Sequence, residues 1–154
     1  MKTKHLIQAA VIAAIYAVLT IVLAPLSYGP MQIRISEALT ILPFFTPAAI
    51  PGLFIGCFIS NVLGPYGIID MVCGSLATLI AAFFSYKLAK RPILVPLPPV
   101  ILNGVIIGGM LYYAYGVPMN LFVCMGWVAL GQAAACYIVG YPLMKLLSKY
   151  KGIF

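Results

Sequence analysis

Apolar segments long enough to cross a membrane follow one another along almost the whole chain of 154 residues. A membrane-spanning helix needs about 20 apolar residues, and shorter helices occur where a bundle buries them. The sequence offers six segments of this kind, which are Leu6–Ala24, Ser36–Ala49, Pro51–Leu63, Ile68–Tyr86, Pro96–Tyr115 and Met119–Leu147. We therefore predict an all-α polytopic membrane protein with about six transmembrane helices.

The composition leaves no room for a water-soluble domain. Hydrophobic residues make up 64% of the chain and charged residues 7%, whereas a soluble domain carries roughly a quarter charged residues. The longest polar connector is the short stretch from Lys87 to Pro92. We expect residues 1–154 to form a single integral membrane domain, with the second and third segments forming a broken hairpin and the last segment bending near Gly140 or Pro142.

The net charge of +7 describes topology rather than a nucleic-acid site. Eight of the nine cations lie at segment ends, namely Lys2, Lys4, Lys87, Lys90, Arg91, Lys145, Lys149 and Lys151. Positively charged residues flank membrane helices mainly on the cytoplasmic side. This pattern predicts that both termini and the connector from Lys87 to Arg91 are cytoplasmic, and that Arg34 and the loop around Gln32 are exterior.

The acidic residues of the chain are Glu37 and Asp70, and they begin the second and fourth predicted spans. Both spans enter from outside, so both carboxylates lie near one mouth, together with Arg34. A structural interpretation has Ser36 capping its helix, Glu37 pairing with Arg34, and Asp70 facing water in a first helical turn. A functional interpretation is favoured by the cost of ionisable groups near a membrane interior.

Three further side chains are candidates for a ligand site inside the bundle. Asn103 and Gln132 each lie roughly 18 Å from the outer end of their helix, so we expect them to share a depth. Amide pairing between helices is the structural alternative. Trp127 lies deeper than an interfacial aromatic residue needs to, and we interpret it either as a pocket wall or as a packing residue.

A stripe of small residues runs along the first span. Its members recur at helical spacing and are Ala9, Ala13 and Ala17, with Ala10 and Ala14 alongside. Faces of small residues let another helix approach closely, so this stripe either docks a partner subunit or packs inside the protein. For Gly52–Gly56 and Gly104–Gly108 we expect internal packing.

Motifs of enzyme chemistry are missing. The sequence has no GxxxxGK[ST] loop for a nucleotide, and its one histidine, His5, precedes the first span. The four cysteines lack CxxC spacing, so we expect them to pack helices rather than bind a metal. We predict no catalytic or metal-binding residues, which leaves a binder or transporter of small molecules.

The segments LIQAAVIAAIYAVLT and GPMQIRISEALTILPFFTPAAIPGLFIGCFISN resemble the QueT family of queuosine-precursor transporters. The resemblance implies the substrate-binding S component of an energy-coupling-factor importer in a bacterial cell membrane. Such a component captures a 7-deazaguanine, such as preQ1, preQ0 or queuine, and docks on a transmembrane coupling subunit that carries two ATPase subunits. It implies no cofactor in this chain, because the partners use the ATP.

Two carboxylates at one mouth suit such a ligand, because a guanine-like edge presents two adjacent N–H donors to a carboxylate. We expect the substrate to be bound by Asp70, Glu37, Arg34, Trp127, Gln132 and Asn103. Asp70 ranks first, since no cation lies near it in the sequence, whereas Arg34 lies three residues from Glu37. The alternatives are an S component for another flat vitamin, such as a flavin, pterin or thiamin, and a self-sufficient proton-coupled carrier.

Overall fold

The computed structural model describes residues 2–29 and 33–150, and in these residues the chain is helical without any strand. The helices in chain order are α1 (Lys2–Val22), α2 (Ala24–Ser27), a 3₁₀ helix (Ile35–Phe44), α3 (Ala49–Val62), α4 (Gly67–Lys87), a short 3₁₀ turn (Pro92–Leu94), α5 (Leu97–Tyr113), α6 (Leu121–Ala133), a π-helical segment (Ala134–Gly140) and α7 (Tyr141–Leu147). The predicted all-α class is therefore confirmed. Gln32 and Lys151, which the topology prediction names, lie outside the described residues.

Each of the six predicted spans corresponds to an apolar helix or helical run. Four are long and apolar enough to cross a membrane, and they are Thr3–Val22, Gly67–Lys87, Pro92–Tyr113 and Leu121–Leu147. The 3₁₀ helix and α3 are shorter. A 3₁₀ helix rises about 2 Å per residue and an α-helix about 1.5 Å, so each of the two is roughly 20 Å long. The tighter winding thus lets ten residues reach as far as fourteen.

The second and third spans form the hairpin that the sequence predicts. The 3₁₀ helix runs antiparallel to α1, because its start places Ser36 Oγ 2.6 Å from Thr20 Oγ1, and Thr46 Oγ1, just beyond its end, donates to Gln8 Oε1 at 3.1 Å. Helix α3 runs parallel to α1, since Gly52 packs against Ala9 and Gly56 against Ala13. The 3₁₀ helix and α3 are therefore antiparallel.

The alanine stripe of α1 faces mainly inward. A Cβ atom on Gly52 would lie 2.8 Å from the Ala9 carbonyl oxygen, and one on Gly56 would lie 2.8 Å from that of Ala13. Ala9, Ala13 and Ala17 are buried. The structure therefore supports the internal-packing alternative for these three alanines, because the close contact with α3 uses the small side chains inside the protein.

Ala10 and Ala14 lie on the exposed side of the same helix. Of the predicted docking stripe, the structure thus leaves these two alanines accessible to a partner.

The internal packing expected for the glycine pairs is confirmed. Gly108 fits tightest, since a Cβ atom there would lie 2.5 Å from the Met125 Cα.

The last span changes its winding in the predicted region. A π-helical segment, Ala134–Gly140, joins α6 to α7, and Pro142 lies in the first turn of α7. Proline lacks the N–H that would continue the α-helical hydrogen bonds. Gly140 also packs closely on the 3₁₀ helix, since a Cβ there would lie 2.9 Å from the Ala38 carbonyl oxygen. The altered winding therefore occurs where the last span meets the 3₁₀ helix.

The alternating helices give the bundle two distinct ends. We call one the basic end, and it carries Lys87 at the end of α4, the connector residues Lys90 and Arg91, and Lys145 and Lys149 near the end of α7. We call the other the tyrosine end, and it carries Tyr28, Tyr66 and Tyr115, which lie outside the long helices. The positive-inside rule predicts that the basic end is cytoplasmic.

Candidate functional site

A buried carboxylate lies where four helices meet. Glu37, the third residue of the 3₁₀ helix, is 1% exposed. Its Oε1 accepts hydrogen bonds from the Tyr16 hydroxyl of α1 and from Thr78 Oγ1 of α4, the latter at 3.2 Å. Its Oε2 accepts one from Asn103 Nδ2 of α5, also at 3.2 Å. All three donors are neutral, so the carboxylate is oriented without a hydrogen-bonded cation.

A small cavity lies beside Glu37, in the middle of the bundle. It is lined by Arg34, Glu37, Gly74, Thr78, Asn103, Ile107 and Gln132. Its volume of about 10 Å³ is close to the minimum that holds one water molecule. Asn103 and Gln132 meet at the same cavity, which agrees with the depth that the sequence predicts for them. We call this space the inner cavity.

The second carboxylate, Asp70, is held by a cation. Its Oδ2 lies 2.9 Å from Arg34 Nη2, and both side chains are buried. The expectation that Arg34 pairs with Glu37 and leaves Asp70 without a cation is therefore wrong. Arg34 lies before the 3₁₀ helix, and its long side chain reaches across to α4 instead of bonding within its own segment.

The Arg34–Asp70 ion pair leaves polar capacity unused. Asp70 Oδ1 and Arg34 Nε have no hydrogen-bond partner among the described residues. Asn61 Nδ2 donates to the Asp70 backbone oxygen at 3.0 Å, which fixes the start of α4 against α3. The guanidinium also lies 5.5 Å from the centre of the Tyr28 ring, within cation–π range.

Ser36 does not cap its helix, contrary to the structural interpretation of the sequence. Arg34 occupies the cap position of the 3₁₀ helix, and no side chain bonds to the free N–H groups there. Ser36 is instead fully buried against Thr20 of α1, whose Oγ1 also donates to the Tyr16 carbonyl oxygen at 2.9 Å. The serine therefore joins two spans instead of starting one.

Trp127 lies away from the inner cavity. Its side chain is 40% exposed, whereas Gln132 on the same helical run is 3% exposed and lines the cavity. Five residues of an α-helix turn through about 500°, which places the two side chains about 140° apart around the axis. The structure therefore does not bring the tryptophan together with the other predicted site residues, although it lies in the expected segment.

Two residues that bind Glu37 were missed in the sequence, namely Tyr16 and Thr78. A signal for Thr78 exists, because Asp70, Gly74 and Thr78 recur at spacings of four and share one face of α4. Tyr16 is a fully buried hydroxyl-bearing residue in an otherwise apolar run, four residues before Thr20. A polar group in such a run requires a hydrogen-bond partner inside the bundle, and this requirement is the sequence signal for Tyr16.

Comparison with known proteins places the chain among transporters. Residues 6–149 match a family model described as QueT transporter. A curated relative, the queuosine precursor transporter QueT of Lactococcus lactis subsp. cremoris (strain MG1363), is 41% identical over 81 residues, which are 51% of this chain and 47% of the relative. The match thus spans about half of the relative's length. No solved structure matches the chain.

Proposed function

This chain belongs to the QueT transporter family, and we propose that it is the substrate-binding membrane subunit of an energy-coupling-factor importer for a queuosine precursor. The substrate would be a 7-deazaguanine such as preQ1, preQ0 or queuine, captured at the tyrosine end and released at the basic end. Partner subunits would supply the ATP hydrolysis. The matching family is one of transporters, in line with the prediction that the chain is not an enzyme.

The observation that carries this proposal is the buried carboxylate of Glu37 beside a cavity lined with amides. Its Oε2 accepts one hydrogen bond among the described residues, and a carboxylate oxygen has two lone pairs. This remaining lone pair can accept one of the two adjacent N–H donors of a guanine-like edge as a charge-assisted hydrogen bond, and an amide oxygen of the cavity lining can accept the other. Asn103 and Gln132 add amide donors and acceptors at the same cavity. This combination supports recognition of a purine-like base.

The inner cavity has to enlarge before it holds such a base. A bicyclic base is much larger than one water molecule, so its binding displaces side chains that line the cavity. Arg34 and Gln132 are the long, flexible members of that lining. Because the buried ion pair with Asp70 restrains Arg34, we propose that the Gln132 side chain swings aside. Glu37 stays in place, since three donors from three other helices hold it.

Binding measurements on the purified protein test the proposed substrate. We expect preQ1, preQ0 or queuine to raise the apparent thermal stability and to give a calorimetric titration, because a ligand of the folded state stabilises it by mass action. Riboflavin, a pterin and thiamin serve as comparison ligands. Stabilisation by one of these vitamins and by none of the deazaguanines would show that the substrate class is wrong.

Transport measurements test the proposed partners. We expect uptake of the bound deazaguanine in cells to require a co-expressed coupling subunit and its ATPases. Uptake by this chain alone, abolished by a protonophore, would instead support a secondary carrier and overturn the proposed subunit role.

The exposed alanines Ala10 and Ala14 are the remaining candidates for docking the coupling subunit. We expect Ala14→Trp to reduce complex formation and to leave ligand binding unchanged, because added bulk blocks the close approach of another helix. Leu130→Trp is a matched control, since Leu130 is 62% exposed on α6. Normal complex formation by the Ala14 variant would exclude this face of α1 as the docking site.

A further inference from the structure

A second cavity lies at the tyrosine end. Its volume is about 260 Å³, near the lower end of the range of about 300–1,000 Å³ typical of ligand sites. It is lined by Tyr28, Tyr66, Leu111, Tyr115, Val117 and Met119. We call it the outer cavity. Unlike the inner cavity, it has room for a flat bicyclic ring without rearrangement.

Three tyrosines build the wall of the outer cavity as a chain of hydrogen bonds. The Tyr115 hydroxyl donates to the Tyr66 carbonyl oxygen and the Tyr66 hydroxyl donates to the Tyr28 carbonyl oxygen, both at 2.7 Å. The Tyr28 hydroxyl donates in turn to the Ser60 carbonyl oxygen. The ring centres of Tyr66 and Tyr115 are 5.1 Å apart, and those of Tyr28 and Tyr66 are 6.2 Å apart. The result is a continuous aromatic surface that joins three segments of the chain.

Glycines set the positions of these tyrosines. Gly67 follows Tyr66 with a φ of 72°, and Gly116 follows Tyr115 with a φ of 59°. Residues with a Cβ adopt such positive φ values only with strain, so glycine makes the sharp turns that present both rings. Burial raises the pKa of the Tyr28 and Tyr115 hydroxyls, which keeps both of them protonated as donors.

The outer cavity lies directly above the inner one. On α5, Asn103 and Ile107 line the inner cavity and Leu111 lines the outer one, at spacings of four residues. Each such step advances about 6 Å along a helix and keeps nearly the same face. One face of α5 therefore runs from one cavity to the other, and Tyr115 continues the series beyond its end.

The Arg34–Asp70 ion pair separates the two cavities. Arg34 lines the inner cavity and also contacts Tyr28, which lines the outer one. Asp70 lies one helical turn above Gly74 of the inner lining and four residues after Tyr66 of the outer lining. Asp70 Oδ1 is buried without a hydrogen-bond partner among the described residues. A Cβ atom on Gly74 would lie 3.4 Å from this oxygen, so a ring that leaves the outer cavity meets an unused acceptor on the path to Glu37.

We propose that the outer cavity is a first binding station, which takes up a flat heteroaromatic ring by stacking on Tyr66 and Tyr115 before the ring passes Arg34 and reaches Glu37. This inference rests on the proposed function and adds a second step to it. Aromatic rings stack on heterocyclic bases with little preference among them, so the station selects for flatness. The inner cavity, with its carboxylate and amides, then selects for the hydrogen-bonding edge.

Rapid-mixing kinetics with preQ1 and queuine test the two-step path. In the parent protein, we expect the observed binding rate to level off as ligand concentration rises, and the half-saturating concentration reports the affinity of the outer cavity. In Tyr115→Leu we expect that concentration to rise by about tenfold, because a stacking surface is lost. Tyr115→Phe keeps the ring and should stay within about threefold of the parent.

Two further variants complete the design. Tyr113→Leu is the matched control, because Tyr113 lies on the same helix end, is 76% exposed and does not line the cavity. It should leave the half-saturating concentration unchanged. Met119→Trp fills the outer cavity from the loop between α5 and α6, and it should raise that concentration even if Tyr115→Leu fails to fold.

The outcomes separate this inference from the proposed function. One outcome is that the parent protein binds the ligand at equilibrium while its observed binding rate rises linearly with ligand concentration. That result overturns the outer station and leaves the proposed function in place. An unchanged half-saturating concentration in both Tyr115→Leu and Met119→Trp does the same. If calorimetry shows no binding of either deazaguanine to the parent, the proposed function fails, and the outer station fails with it.

Discussion

The two carboxylates of this protein are equally buried but differently held. Glu37 accepts hydrogen bonds from Tyr16, Thr78 and Asn103, which are all neutral. Asp70 instead pairs with the Arg34 guanidinium at 2.9 Å. Both side chains are 1% exposed, so burial alone does not distinguish them. What distinguishes them is whether the negative charge is already compensated by a buried cation.

This difference indicates separate roles for the two acids. A compensated charge in a low-dielectric interior holds the structure together, because removing either partner leaves the other buried and unpaired. A carboxylate held by neutral donors is not paired with a cation, so it can pair with a ligand that brings N–H groups. We therefore expect Glu37 to dominate ligand affinity and Asp70 to dominate stability, which reverses the ranking that the sequence suggested.

The largest effect is expected from Asp70→Asn on stability. The substitution keeps the shape but leaves Arg34 buried without its carboxylate, and breaking a buried pair in this way costs about 3–5 kcal/mol. Denaturant unfolding in detergent measures the loss in the free energy of unfolding. Glu37→Gln is the comparison, and we expect its loss to be less than half that of Asp70→Asn. Equal losses in the two variants would abolish the distinction between the acids.

A smaller effect is expected from Glu37→Gln on ligand binding. Hydrogen bonds to a charged group contribute about 1.5–3 kcal/mol, so the affinity should fall by roughly tenfold to 150-fold. Calorimetric titration with preQ1 and queuine measures it, next to Asp70→Asn under conditions where that variant is folded. If Asp70→Asn loses more affinity than Glu37→Gln, the ranking drawn from the sequence is right and ours is wrong.

Removing one donor to Glu37 sharpens the comparison further. Tyr16→Phe deletes the hydroxyl that donates to Oε1 and leaves the donors from Thr78 and Asn103. The carboxylate is then less firmly oriented, and we expect affinity to fall by about fivefold, equivalent to about 1 kcal/mol. Tyr137→Phe is the control, since its hydroxyl bonds to the Ile93 carbonyl oxygen toward the basic end. An equal loss of ligand affinity in Tyr137→Phe would show that removing a tyrosine hydroxyl affects the bundle in general and not Glu37 in particular.

The smallest net effect is expected when both partners of the ion pair are replaced. Arg34→Met combined with Asp70→Leu removes both charges together, and apolar replacements of buried pairs are often neutral. We expect the free energy of unfolding of the double variant to lie within about 1 kcal/mol of that of the parent, although each single substitution is strongly destabilising. A double variant as unstable as Asp70→Asn would show that the pair is not the source of the loss.

The sequence alone determined which segments form apolar helices and which polar residues lie in them. Hydropathy is a local property, so six apolar stretches predicted the helices, and residue number predicted that Asn103 and Gln132 share a depth. The distance from a helix end can be read directly from residue number, since the rise per residue is nearly constant. The shared depth of Asn103 and Gln132 was therefore predictable, whereas Glu37, which was expected at the outer mouth, accepts a hydrogen bond from Asn103 beside the inner cavity.

Rotation of each helix and the choice of polar partners were decided by the tertiary structure. The close fit of Gly52 and Gly56 on Ala9 and Ala13 turns the alanine stripe inward. In α6, the same helical run that buries Gln132 leaves Trp127 exposed. The partner of Arg34 lies 36 residues away on another helix, and nearness in the sequence favoured Glu37 instead. Such contacts depend on how helix surfaces interlock, which depends on all the neighbouring side chains at once and not on any single segment.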